Sequence, residues 1–163
     1  MLHFRSILRW ALPTLLGLVA VGFITIITLS YMVARPRDLG ITAGRLAPCP
    51  TTPNCVSTQA DNPTQKMSPI PYTTSTAEAK QRLLTVIQAY PRTTLVEETP
   101  TYLAVVFRSA LFRFPDDVEF YFDEPNKIIH FRSASRLGQG DGGVNRARMT
   151  ALTAAFLELG IRN

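Results

Sequence analysis

The densest chemistry in the chain lies in Arg132-Ser133-Ala134-Ser135-Arg136, followed by Asp141-Gly142-Gly143-Val144-Asn145-Arg146-Ala147-Arg148. Guanidinium forks, hydroxyls and a glycine-rich loop leading into a helix are the components of an anion site, because all of them present N–H or O–H donors. Upstream, Asp116, Asp117 and Glu119 supply carboxylates. Two readings follow. In the first, Asp116, Asp117, Glu119 and Asp141 pair internally with Arg113, Arg132, Arg136, Arg146 and Arg148 and tie a sheet to a helix. In the second, Arg132, Ser133, Ser135, Arg136, Asn145, Arg146 and Arg148 hold an external anion: a small molecule or a lipid headgroup. A third, alternative reading makes Asp116, Asp117 and Glu119 the working carboxylates of a hydrolase-type enzyme, since paired acids do proton chemistry when their surroundings separate their pKa values.

That enzyme reading lacks a complete set of groups. Ser133 or Ser135 as nucleophile needs a base, and His130, the histidine nearest to them in the chain, points away from Ser133 on its strand. No catalytic residue is therefore assigned. Gly138-Gln139-Gly140-Asp141-Gly142-Gly143 lacks the lysine of a phosphate-binding loop and the strand–loop–helix unit of a dinucleotide fold, so no cofactor is expected. No metal is expected either, because Cys49 and Cys55 have no further ligands beside them to complete a zinc set. The two cysteines bracket the turn-rich Pro50-Thr51-Thr52-Pro53-Asn54. They read either as a disulfide suited to an oxidising compartment or as two free thiols in a linker.

These side chains need elements to position them. Ser75 with Glu78 forms a capping box, so a helix should start at Thr76, and Ala79, Leu83, Val86, Ile87 and Tyr90 give it one apolar stripe up to Pro91. Strands are expected at Thr93–Glu98, Tyr102–Ser109, Asp117–Phe122 and Ile128–Ser133. Parity across the Glu124-Pro125-Asn126 turn pairs Phe122 with Ile129 and Phe120 with Phe131 on the buried face. On the open face it sets Glu119 opposite Arg132 and Tyr121 opposite His130, which favours this register by a few tenths to ~1 kcal/mol. A last helix runs from Arg146 to Leu159, with Asn145 as N-cap, Val144 and Met149 as a staple, and Gly160 as its stop. Arg146 and Arg148 then sit in its first turn, where each exposed cation costs about 0.3–1 kcal/mol against the helix dipole. A local rule broken twice asks for a compensating anion. The fold class is α+β: an antiparallel four-stranded sheet flanked by an N-terminal and a C-terminal helix over residues 72–163.

Ahead of it, residues 35–71 hold more than half of the 12 prolines and read as a linker or wrapping arm that carries the cysteine loop. Residues 10–34, from Trp10 to Ala34, contain no charge, a run longer than the roughly 20 apolar residues that span a bilayer core. It is too long for a signal peptide and ends without a small-x-small cleavage site. Residues 1–9 are a short tail. Arg5 and Arg9 on one side and Arg35, Arg37 and Arg45 on the other leave orientation nearly balanced. The cysteine pair tips it toward a single-pass cell-membrane protein with the C-terminal domain extracytoplasmic, or periplasmic. With 163 residues, 46% hydrophobic and 18% charged, the chain is no disordered tail. Its net charge of +5 comes without a basic stripe interleaved with aromatics, so nucleic acid is not an expected partner. The expected partners are the membrane, a protein of a membrane complex, or an anionic ligand met by a non-catalytic binding or assembly module.

Arg132-Ser-Ala-Ser-Arg136-x-Gly138 with Asp141-x-Gly143-Val-Asn-Arg146-x-Arg148 resembles the signature of the domain of unknown function 1499 family. Phe114-Pro-Asp-Asp-Val-Glu119, and Pro48-Cys-Pro50 with Pro53-Asn-Cys-Val-Ser57, look like its other two landmarks. The similarity covers about residues 46–160. It implies one domain, often behind a membrane anchor, with no established activity.

Overall fold

The apolar run at the start of the chain winds into α1 (Leu2–Met32), the first element of a computed structural model that describes residues 2–161. The helix takes in all but the first residue of the expected tail and stops short of Ala34. Met1, Arg162 and Asn163 lie outside the described residues. Trp10–Met32 is long and apolar enough to cross a membrane. Thr14, Thr25 and Thr28 turn their hydroxyls back to the carbonyls of Trp10, Val21 and Ile24, which satisfies them within the helix itself.

After α1 the chain forms a small hairpin, β1 (Ile41–Thr42) with β2 (Arg45–Leu46), and then β3 (Cys55–Ser57) and β4 (Ile70–Pro71). The capping box closes as expected: the Glu78 N–H donates to Ser75 Oγ at 3.2 Å and the Ser75 N–H donates to Glu78 Oε2 at 3.0 Å, opening α2 (Thr76–Gln88). Strands β5 (Thr93–Glu98), β6 (Tyr102–Arg108), β7 (Pro115–Asp123) and β8 (Ile128–Ser135) follow, and α3 (Val144–Ile161) ends the described chain. The register of β7 on β8 matches parity: Glu119 faces Arg132, Phe120 faces Phe131, Tyr121 faces His130 and Phe122 faces Ile129.

The sheet has six strands rather than four. Its order is β3-β8-β7-β6-β5, with β4 also on β8. An exposed edge on β8 would leave a row of N–H and C=O groups open to another chain. Residues of the arm close it: Cys55, Val56 and Ser57 pair with Ala134, Ser133 and Arg132, while Ile70 and Pro71 pair with Ile129 and Ile128. Between the two, the Thr58 N–H donates to the Phe131 carbonyl at 3.0 Å. Cys49 and Cys55 are bonded, with their Cα atoms 5.7 Å apart, so the loop ahead of β3 is covalently closed.

Both faces of the sheet are covered over its central strands, one of them by the arm, which corrects the open face expected around Glu119 and Arg132. On the helix side, Leu83, Val86 and Ile87 of α2 and Met149, Leu152 and Phe156 of α3 bury against Phe120, Phe131 and Ile129. On the other side, Leu46 of the β1–β2 hairpin packs on Tyr102, Ala104 and Tyr121. The last helix also differs from expectation. It begins at Val144 and passes through Gly160 to Ile161, so Asn145 lies inside its first turn rather than at the cap.

Closing the short Cys49–Cys55 loop is worth about 2 kcal/mol in the chain-entropy account. Replacing both cysteines by serine is expected to lower stability by that amount and to raise hydrogen exchange at Ser133 and Ser135, whose N–H groups point to the β3 side of β8. Exchange confined to residues before Cys49 would contradict the role given to the loop.

Candidate functional site

The sheet sorts the candidate residues into two clusters. Side chains alternate along β7, so Asp116 points to the helix side while Asp117 and Glu119 point to the arm side. Alternation along β8 puts Ser133 and Ser135 on the helix side and Arg132 on the arm side. The three carboxylates named for a hydrolase-type site do not converge on one face.

On the helix side the centre is Asn145, fully buried together with Ser133. Its Nδ2 donates to the Asn54 carbonyl (3.1 Å), Ser135 Oγ (3.0 Å) and Asp141 Oδ2 (2.8 Å). Its Oδ1 accepts from Ser133 Oγ at 2.6 Å and from Arg148 Nη1 at 2.7 Å. Arg148 also donates from Nη2 to Asp116 Oδ2 at 2.5 Å and lies over the Phe107 ring at 4.9 Å. Because α3 starts at Val144, Arg148 falls in its second turn rather than the expected first, and Asp116 from β7 neutralises it there. Arg146 is met differently: its Nη2 donates to the carbonyl of Thr64 (2.7 Å), and both terminal nitrogens reach that of Lys66, so it clasps the arm.

The helix start has its own anion, Asp141. Gly142 and Gly143, at φ +60° and +83°, turn the loop back so that the N–H groups of Gly143 and Asn145 both donate to the Asp141 carboxylate at 2.9 Å. Burial pushes this carboxyl up, but the hydrogen bonds from Asn145 and Gly143 outweigh it and hold the pKa below the usual aspartate value.

On the arm side, Asp117 takes a bidentate pair from Arg136, Nε at 2.8 Å and Nη2 at 2.7 Å. The third nitrogen of Arg136 donates to the Val33 carbonyl just after α1, at 2.9 Å. Glu119, fully buried, accepts from the Tyr102 hydroxyl and the Gly40 N–H at 2.7 Å each, and from Arg132 Nη1 at 3.4 Å. Burial, then the bond to Glu119 and its charge, push the Tyr102 phenol up, so it stays a donor. His130 bonds Thr58 through Nδ1 at 3.0 Å, and burial lowers its pKa despite Asp123, favouring the neutral ring. It faces the arm, on the opposite side of the sheet from Ser133, whose proton goes to an amide oxygen. Among the described residues no three of His, Cys, Asp and Glu gather as a metal set. A cleft of about 650 Å³ opens beside the disulfide, lined by Arg45, Gln59, Asp61 and Gln65; of the candidate residues only Cys49 and its loop border it.

The sequence reading missed Asn54, Tyr102 and Gly40. Asn54 carried a signal, since it sits inside a landmark motif next to Cys55. Tyr102 and Gly40 carried none, because their partner Glu119 is 17 and 79 residues away.

The family model described as protein of unknown function (DUF1499) matches residues 45–156. That span runs from β2 into α3 and holds every member of the Asn145 cluster, but neither α1 nor Gly40. Comparison with curated proteins returns no match.

Asp116→Ala leaves Arg148 buried without its carboxylate, and a loss of about 3–5 kcal/mol is expected, read as a fall in thermal midpoint of roughly 10 °C. Adding Arg148→Met should recover part of it; a double variant no better than the single would show the pair is not the cause. The depressed Asp141 pKa stabilises the fold fully above its unfolded value of 3.8, and that share is lost as pH falls through the folded value. The midpoint gap between wild type and Asp141→Asn should therefore be level above about pH 4 and shrink below it. A gap unchanged down to pH 2.5 would contradict this.

Proposed function

The chain belongs to the DUF1499 family, and we propose that it is a single-pass, membrane-anchored envelope protein whose extracytoplasmic domain is a non-catalytic binding or assembly module. The anchor is α1, and the Cys49–Cys55 bond favours an oxidising compartment for the domain. The observation that carries the reading is the use of the charges: Arg148, Arg136 and Arg132 each meet a buried carboxylate of β7. Their chemistry goes into holding helix, sheet and arm together.

What the domain leaves open is the outer side of β5. Among the described residues no strand pairs there, and Leu95 and Val96 are each 45% exposed. An extended segment of a protein in the same membrane complex would add to such an edge through main-chain bonds. Confinement by the anchor raises its effective concentration, so a weak contact suffices. One observation favours an anionic ligand as a second reading: Arg132 Nε is buried without a partner among the described residues.

Photo-crosslinkers placed singly at Thr94, Leu95, Val96 and Glu97 of the full chain in its membrane test the first reading. A discrete adduct whose yield alternates with position supports a strand-addition partner; uniform or absent adducts count against it. In the same preparation, thermal midpoints should stay flat across phosphate, sulfate, citrate and anionic headgroups. A saturable rise for one anion, lost in Arg132→Gln, would replace the assembly reading with the anionic one.

A further inference from the structure

The turn between β6 and β7 is apolar where a surface turn is ordinarily polar: Ala110-Leu111-Phe112-Arg113-Phe114. It is not loose. The Ser109 N–H donates to the Phe114 carbonyl at 3.0 Å, and the Phe114 N–H donates to Ser109 Oγ at 2.9 Å. Phe112 and Phe114 stack with centroids 5.4 Å apart, yet Leu111 remains 57% exposed and Phe114 39%. Two aromatic rings and a leucine are thus held in a fixed shape on the outside of the domain.

What lies beside them is α1. The Phe112 ring is 6.0 Å from that of Phe23. Phe23 is two turns inside the apolar helix from Tyr31, about 12 Å at 1.5 Å per residue. At the level of Tyr31, Arg108 of β6 lies 4.2 Å over the ring and donates to the Ser30 carbonyl at 3.4 Å. The aromatic and cationic contacts fit a headgroup belt, and the loop extends past it toward the middle of the helix. Leu111 and Phe114 thus stand exposed beside the exposed apolar side chains of α1, to which Phe112 is joined through Phe23.

We propose that residues 110–114 are a second membrane contact: Leu111, Phe112 and Phe114 enter the acyl region beside α1, and Arg108 and Arg113 meet phosphate groups of the lipid headgroups. The inference rests on the reading of α1 as a membrane helix. Together, helix and loop fix the tilt of the joined helix and domain in the bilayer, since a lone spanning helix can tilt and a second contact beside it limits that. Such a fixed pose would set the height at which β5 is offered to a partner.

The test uses the full chain in phosphatidylcholine vesicles with 20% phosphatidylglycerol, taken as roughly the anionic share of a charged leaflet. Trp10, the single tryptophan, is replaced by Phe, and one tryptophan is introduced by Phe112→Trp, Leu111→Trp or Phe23→Trp. Doxyl-labelled lipid should quench the first two at least about twofold and aqueous iodide should not, as for a side chain lodged at the acyl boundary. Quenching by lipid at position 23 with iodide quenching at both 111 and 112 would overturn the loop contact while leaving the anchor intact. Absence of lipid quenching at all three positions would overturn the anchor, and the loop contact with it. Leu111→Trp decides the matter if the thermal midpoint shows that Phe112→Trp disturbs the stacked pair, because Leu111 is exposed.

Discussion

A guanidinium taken out of water must carry a carboxylate with it, and Arg148 is placed where four parts of the chain meet. It belongs to α3, bonds Asp116 of β7 and Ser133 of β8, and shares the Asn145 oxygen with that serine. Asn145 in turn bonds the backbone of the arm at Asn54. If any of these parts moves, a buried charge or a buried amide loses a partner, at several kcal/mol for the charge. That penalty gives the helix one position on the sheet. It also explains why a cation is tolerated near the start of α3: the dipole effect fades within the first turn, while losing Asp116 would cost the buried guanidinium far more.

The arm is the second consequence of the same constraint. Without β3 and β4, the outer edge of β8 would be open and Asn145 would lose the Asn54 carbonyl. The Cys49–Cys55 bond shortens the search for that arrangement, and Arg146 clasps the arm through two carbonyls rather than through a charge. On the other side of the sheet Glu119 does similar work. Its carboxylate takes the Gly40 N–H and the Tyr102 hydroxyl, which draws the segment after α1 across the face. The domain is clamped on both faces by carboxylates of one strand, β7.

This arrangement also connects the domain to α1. Arg136 bonds Asp117 and the Val33 carbonyl at once, Arg108 bonds Ser30, and Arg35 lies 3.5 Å from Glu97. The apolar helix is therefore followed by a joint of several polar contacts, not a free tether. A module built this way presents its surfaces in a set orientation relative to α1. Under the proposed assembly role, that set orientation would serve contacts made within the plane of a membrane.

The local features were readable from sequence because local physics decides them. The Ser75–Glu78 box, the alternation of β7 and its register on β8 follow from side-chain spacing alone, and so does the apolar run of α1. The family resemblance was readable too, because its motifs are short and in order. Tertiary structure alone decided where the arm goes. Proline-rich segments carry no periodicity, so nothing in residues 35–71 announced four short strands, two of which took the main sheet from four to six. It also decided that Asn145 is a buried hub and not a cap, since a cap is recognised by neighbours in sequence, whereas this hub also has partners as far as 91 residues away. The split of Asp116 from Asp117 and Glu119 was implicit in strand parity. What each carboxylate meets on its own face depends on which distant segments cover the sheet, and that is settled only when the whole chain has closed around it.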